Sequence, residues 1–185
     1  MSRDHDNDGY TLIELMVVLL ILAILLAIAI PTFLGVKGGA QDRATQSNLT
    51  NALLVGKTIA SANRGTYPTG ATLLTSFAKS EPSLTYLAST ATGKPSNQVS
   101  VAVSTDGTLV LLAAQSASNT CWVAEDNQAP SGTPTSMTGI TGATTGTTKM
   151  GSWFTSFAST AGTASTCNAA NVSAGSSRWS RSYPV

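Results

Sequence analysis

Four kinds of side chain in this sequence could do chemistry, and their surroundings sort them. Glu14 is a lone carboxylate in a stretch that is otherwise apolar from Tyr10 to Ile30, apart from Thr11. An acid inside such a segment costs about 2.5–3.5 kcal/mol at the centre of a membrane helix, which marks it as a functional position. Cys121 and Cys167 are the two thiols of the chain. An even pair in an exported domain forms a disulfide, and two buried free thiols are the other reading. A metal site built on them lacks partners, because the one histidine, His5, lies ahead of the apolar stretch. Glu125-Asp126 is an acidic pair followed by a polar run. Two carboxylates fall short of the roughly six to eight oxygens that calcium takes, so the pair reads as an exposed turn. From Tyr10 onward there is no histidine, so Ser-His-Asp, Cys-His and histidine-zinc arrangements cannot be built. No phosphate-cradling or dinucleotide fingerprint is present. The residues call for no catalytic centre, no cofactor and no metal.

Glu14 must be positioned by the segment that holds it. About 20 apolar residues suffice for a helix to cross a bilayer, and a helix is the single-segment solution because it pairs its own backbone groups. The run is apolar on every side, which argues against a buried helix of a soluble core. Three functional readings remain for it. It is a secretory signal cut after Ala27-Ile28-Ala29, although the run is long for that purpose, holds an acid and follows Arg3 set among Asp4, Asp6 and Asp8. It is a plain anchor for an outer domain. Or Glu14 meets a cation supplied by another molecule, rather than snorkelling or capping the helix start.

The stretch Gly9-Tyr10-Thr11-Leu12-Ile13-Glu14, with the apolar run to Pro31, resembles the amino-terminal signal of type IV pilins and pseudopilins. The likeness covers about residues 9–34. It implies that a prepilin peptidase cuts between Gly9 and Tyr10, that Tyr10 becomes an N-methylated amino terminus, and that Glu14 and Pro31 serve assembly. The acidic leader departs from the basic leaders of many pilins and gives little orientation by the positive-inside rule. Two opposite charges about 4 Å apart attract by about 4 kcal/mol at an effective dielectric near 20. A Tyr10 ammonium meeting Glu14 of a neighbouring copy would therefore offset the desolvation of both. An unpaired member is strongly penalised, which makes the pair a register device.

The rest of the chain has room for one domain in its 185 residues. Without the leader it carries nine basic and six acidic side chains, a balance that does not by itself call for nucleic-acid binding. The helix is expected to run from Tyr10 to about Asn63, with a bend or local loss of helix at Pro31 and weakening at Gly35, Gly38 and Gly39. Family members often unwind before this proline at a glycine; here that position is Ala23, which weighs against unwinding over 23–30. Leu49, Ala52, Leu53, Gly56, Ile59 and Ala60 share one face, with Asp42, Arg43, Asn48, Lys57 and Arg64 mostly elsewhere. Asn63-Arg64-Gly65 and Pro68 stop the helix. Leu73–Ser80 reads as a short helix. Val99, Val101 and Val103 alternate with small residues as a half-buried strand, and Asp106-Gly107 reads as a two-residue hairpin turn. Thr108–Ala114 reads as a central strand and Thr120–Ala124 as a third. Residues 127–151 read as a long exposed loop. Trp153, Phe154, Phe157, Trp179 and Tyr183 serve the core or cover the disulfide, with a sugar-binding platform as the other reading. Asn48 and Asn171 head glycosylation sequons by pattern only.

These readings assemble into an α+β, pilin-like fold: a long helix, hydrophobic then amphipathic, packed on a small antiparallel sheet. The divisions are a cleaved leader at 1–9, a membrane and filament-core helix at 10–34, an amphipathic half at 35–64 and an outer domain at 65–185. Closing the loop between Cys121 and Cys167 would contribute about 4 kcal/mol in the chain-entropy model, and the resemblance implies the same clasp. The resemblance further implies a non-enzymatic subunit of a cell-surface pilus, held in the cytoplasmic membrane before assembly. Its partners would be copies of itself, minor pilins, the peptidase, and the assembly ATPase with its platform protein. A pseudopilin of a secretion or competence system, or a surface binding protein that stays tethered, are the alternatives.

Overall fold

The structure is a computed structural model and describes residues 10–91, 97–130, 150–158, 167–170, 172 and 179–184. The leader with Gly9, residues 131–149 of the expected loop, and Asn171 lie outside these. Contacts divide the chain into two units, Met1–Gly38 and Gly39–Val185. Helix α1, Leu12–Ala62, begins in the first and ends in the second.

In the first unit, the large apolar residues from Leu12 to Val36 are 48–76% exposed. The segment is long and apolar enough to cross a membrane. Pro31 sits inside α1 without interrupting it, so the expected local loss of helix does not occur. One missing backbone donor is bridged by intact turns on either side. The Thr32 hydroxyl also donates to the carbonyls of Ile28 at 3.1 Å and Ala29 at 2.9 Å, next to the carbonyl of Ala27 that proline leaves unpaired. Residues 23–30 are helical, as Ala23 in place of glycine favours.

In the second unit, α1 buries Thr45, Leu49, Ala52, Leu53, Gly56 and Ala60. Ile59 is partly buried at the margin of the same cluster. Thr45 is polar, yet its hydroxyl donates to the Gln41 carbonyl at 3.0 Å, which permits burial. Arg64 and Gly65 adopt left-handed backbone, φ 61° and 83°, and the Gly65 amide closes on the Ala60 carbonyl at 2.8 Å. That is a helix stop of the Schellman kind. Helix α2, Ala71–Ser80, starts two residues before the sequence suggests and buries Leu73 and Phe77.

Five strands follow: β1 Thr85–Leu87, β2 Gln98–Val103, β3 Leu109–Gln115, β4 Thr120–Asn127 and β5 Gly151–Ala158. They lie side by side in chain order. β1 runs parallel to β2, and every other pairing is antiparallel. The sheet therefore has two more strands than expected and one parallel edge. β1 is too short to show a period, and β5 packs Trp153, Phe154 and Phe157 without the alternation that announces a half-buried strand. The Asp106-Gly107 turn is also longer than expected. Ser104 pairs with Leu109, leaving a four-residue loop of 105–108 with Gly107 at φ 70°.

One face of the sheet packs Val99, Val101, Val110 and Leu112 with α1 and α2. The other packs Ala102, Leu111 and Val123 with Cys167, Ala169 and Val172. That second layer explains why β2 is buried on both faces rather than on one. Ser100 is the joint: its hydroxyl donates to the Ala88 carbonyl at 3.0 Å and accepts from the Ala169 amide at 3.1 Å. Cys121 and Cys167 are joined as a disulfide, with Cα atoms 5.4 Å apart.

Candidate functional site: the amino terminus of helix α1

Tyr10 and Thr11 precede the helix, and the Tyr10 side chain is 84% exposed. Thr11 is the N-cap and Glu14 the third helical residue. The Thr11 amide donates to Glu14 Oε2 at 2.8 Å, and the Thr11 hydroxyl donates to the same oxygen at 2.7 Å. In return the Glu14 amide donates to Thr11 Oγ1 at 3.3 Å. This is a reciprocal capping box, in which two orphan amides of the first turn are satisfied at once. A carboxylate at a helix amino terminus also meets the positive end of the macrodipole. The sequence reading set helix capping against pairing with a neighbour; in the single chain the cap is present. Its signal, Thr-x-x-Glu ahead of an apolar run, was open to view in the sequence. Both bonds fall on Oε2, so Oε1 keeps its acceptor capacity for a cation, with no hydrogen-bond partner among the described residues.

Two further carboxylates fasten α1 to the sheet of the second unit, and the sequence reading missed both roles. Asp42, assigned off the core face, accepts three bonds on Oδ1. They come from Ser116 Oγ at 2.5 Å, Ser118 Oγ at 2.5 Å and Trp122 Nε1 at 3.1 Å. Burial pushes its carboxyl upward, but the hydrogen bonds from Ser116, Ser118 and Trp122 outweigh it and hold it below the usual range.

Asp126 corrects the expectation of an exposed acidic turn: it and Glu125 are buried in β4. Alternation along the strand turns Asp126 toward α1, where Tyr67 Oη donates at 2.7 Å and Gln128 Nε2 at 2.5 Å. Ser152 Oγ donates at 3.0 Å, and Lys57 Nζ lies 3.5 Å away. A sequence cannot announce this site, because Tyr67 and Asp126 are 59 residues apart.

The late aromatics are placed as core and cover. Tyr183 packs edge-on to Trp122 with centroids 5.7 Å apart and lies 4.5 Å from Phe154. Phe157 and Trp179 pack on the disulfide side. Trp153 lies under the Arg181 guanidinium at 4.0 Å.

Burial raises three phenols. Tyr183 is pushed up to about 12. Tyr67 and Tyr86 lie well above the usual phenol range, with the charges of Asp126 and Glu81 adding to burial. A folded-state value above the unfolded value of about 10 gives stability that is full below pH 10 and is lost as pH rises past it. The midpoint of thermal unfolding is therefore expected to hold level to about pH 9.5 and fall steeply between about pH 10 and 12. Each tyrosine contributes up to about 1.4 kcal/mol per pH unit. Circular dichroism against pH checks this, and Tyr183→Phe is expected to flatten the slope.

Residues 5–30 match the model of the prokaryotic N-terminal methylation motif, the type IV prepilin-like signature. The match covers the start of α1 and not the domain that follows. No curated protein and no solved structure matches the chain. The chain thus carries a prepilin-like amino-terminal signature, and its fold is an α+β arrangement like that of pilins, a long helix packed on a mostly antiparallel five-stranded sheet. The motif implies anchoring in a membrane and processing ahead of assembly with like subunits.

Proposed function

We propose that this chain is a structural subunit of a type IV pilus. It is cut between Gly9 and Tyr10 by a prepilin peptidase and methylated at Tyr10. It then polymerises through the apolar part of α1 into a cell-surface filament. One observation carries the reading: the methylation motif coincides with the first part of α1, where the large apolar side chains from Leu12 to Val36 are exposed and the one acid, Glu14, has an oxygen to spare. Apolar helix surface leaving lipid must be buried again, and a bundle of identical helices does this. Glu14 Oε1 would accept the Tyr10 ammonium of a neighbouring copy, which fixes the stagger between subunits. The ATPase and platform protein would supply the work of extraction, and the second unit would form the coat.

The Cys121–Cys167 disulfide and the absence of an acidic segment after Tyr67-Pro68 favour a pilin over a secretion pseudopilin. Immunogold labelling with antibody to the sheet domain tests the choice. Label along extracellular fibres is expected; label confined to the envelope, with secretion lost on deletion, would favour the pseudopilin.

A further inference from the structure

Helix α1 changes character at Asp42. From Thr32 to Gln41 none of its residues is buried. Gly35, Gly38 and Gly39 have open space where a side chain would lie. Each glycine weakens a helix by about 1 kcal/mol relative to alanine, and Pro31 at the head of the stretch withholds a backbone donor. Most helical stability in proteins comes from tertiary packing, and local opening follows its absence. Among the described residues, the first of this region with tertiary hydrogen bonds is Asp42, which takes three donors from the β3–β4 hairpin on one oxygen. The first buried residues, Thr45 and Leu49, follow within two turns. Asp is also among the best N-cap residues, so Asp42 suits the start of whatever helix remains when the turns before it open.

We infer that Asp42 is a catch. It ends an openable stretch of α1, Thr32–Gln41, and keeps loss of helix there from running into the turns that carry Thr45 and Leu49. The Ser116 and Ser118 hydroxyls and the Trp122 indole hold the catch shut. An opened residue spans about 3.3 Å instead of 1.5 Å, so the stretch can lengthen or bend while the helix beyond Asp42 stays seated. The use of that freedom in a curved bundle rests on the filament reading; the catch itself does not.

Hydrogen exchange read by mass spectrometry on the full chain in detergent micelles tests this. Amides of 33–41 are expected to exchange at least a hundredfold faster than those of 46–60. In Asp42→Ala, amides of 43–49 are expected to speed up at least tenfold while those of β3 and β4 stay protected. Lys57→Met, at the other fastening point, is expected to leave 43–49 unchanged. Equal protection of 33–41 and 46–60, or unchanged exchange of 43–49 in Asp42→Ala, overturns the inference. Should that variant not fold, the double variant Ser116→Ala, Ser118→Ala keeps the carboxylate, and at least a threefold acceleration over 43–49 is expected; none overturns it. A chain that never polymerised would give the same exchange pattern, so failure here and failure of the filament reading are distinguishable.

Discussion

Cells carrying Glu14→Leu are expected to lose surface fibres while the subunit remains processed and inserted in the membrane. The substitution removes two things. The carboxylate half of the capping box goes, which weakens the helix start. The partner for a neighbour's Tyr10 ammonium goes too, and a buried charge left alone costs about 3–5 kcal/mol at each subunit contact. That is roughly a hundredfold or more in each association step, repeated along a polymer. Glu14→Gln separates the two effects. Glutamine completes a capping box as glutamate does, but it offers no charge. Loss of fibres in Glu14→Gln assigns the defect to the charge pair; fibres at the normal level would leave the cap as the role of Glu14. Sheared surface fractions and membrane fractions, blotted side by side, read both variants.

Asp126→Ala is expected to destabilise the sheet domain by about 3–5 kcal/mol. The side chain is almost wholly buried and serves Tyr67, Gln128, Ser152 and Lys57 together. Its removal leaves buried donors without an acceptor, which costs more than the bonds themselves contribute. The Lys57 side chain is 42% exposed, so Lys57→Met is expected to cost no more than about 1 kcal/mol. Urea unfolding followed by tryptophan fluorescence orders the two. Equal losses would mean that the ion pair, rather than the tyrosine and its companions, holds the exit of α1 to the sheet.

What was legible in the sequence is what is local. The apolar run, the buried stripe from Leu49 to Ala60, the helix stop at Arg64-Gly65 and the strand carrying Cys121 and Trp122 all have short periods or short signals, and all are present. Thr11 and Glu14 are local too, three residues apart, and Thr-x-x-Glu ahead of an apolar run is the signal of their bond. Capping does not exclude that role, since one carboxylate oxygen carries the cap and the other is left for a partner. The remaining misses are long-range. Asp42 reads as a surface acid until a hairpin 74 residues later supplies Ser116. Glu125-Asp126 reads as a turn because two adjacent acids seldom enter a strand; both do so here, and Asp126 is met there by Tyr67 and Lys57. Ser100 and Ala102 read as solvent-facing because the segment that covers them is joined through Cys167, far down the chain.

The central claim is that this helix is made to stand beside copies of itself with a new amino terminus at Tyr10. Mass spectrometry of the amino-terminal peptide from protein recovered from cells tests it most directly. A peptide that begins at Tyr10 and carries one added methyl group is the predicted result. A peptide that begins at Met1, or beyond Ala29, would contradict the account.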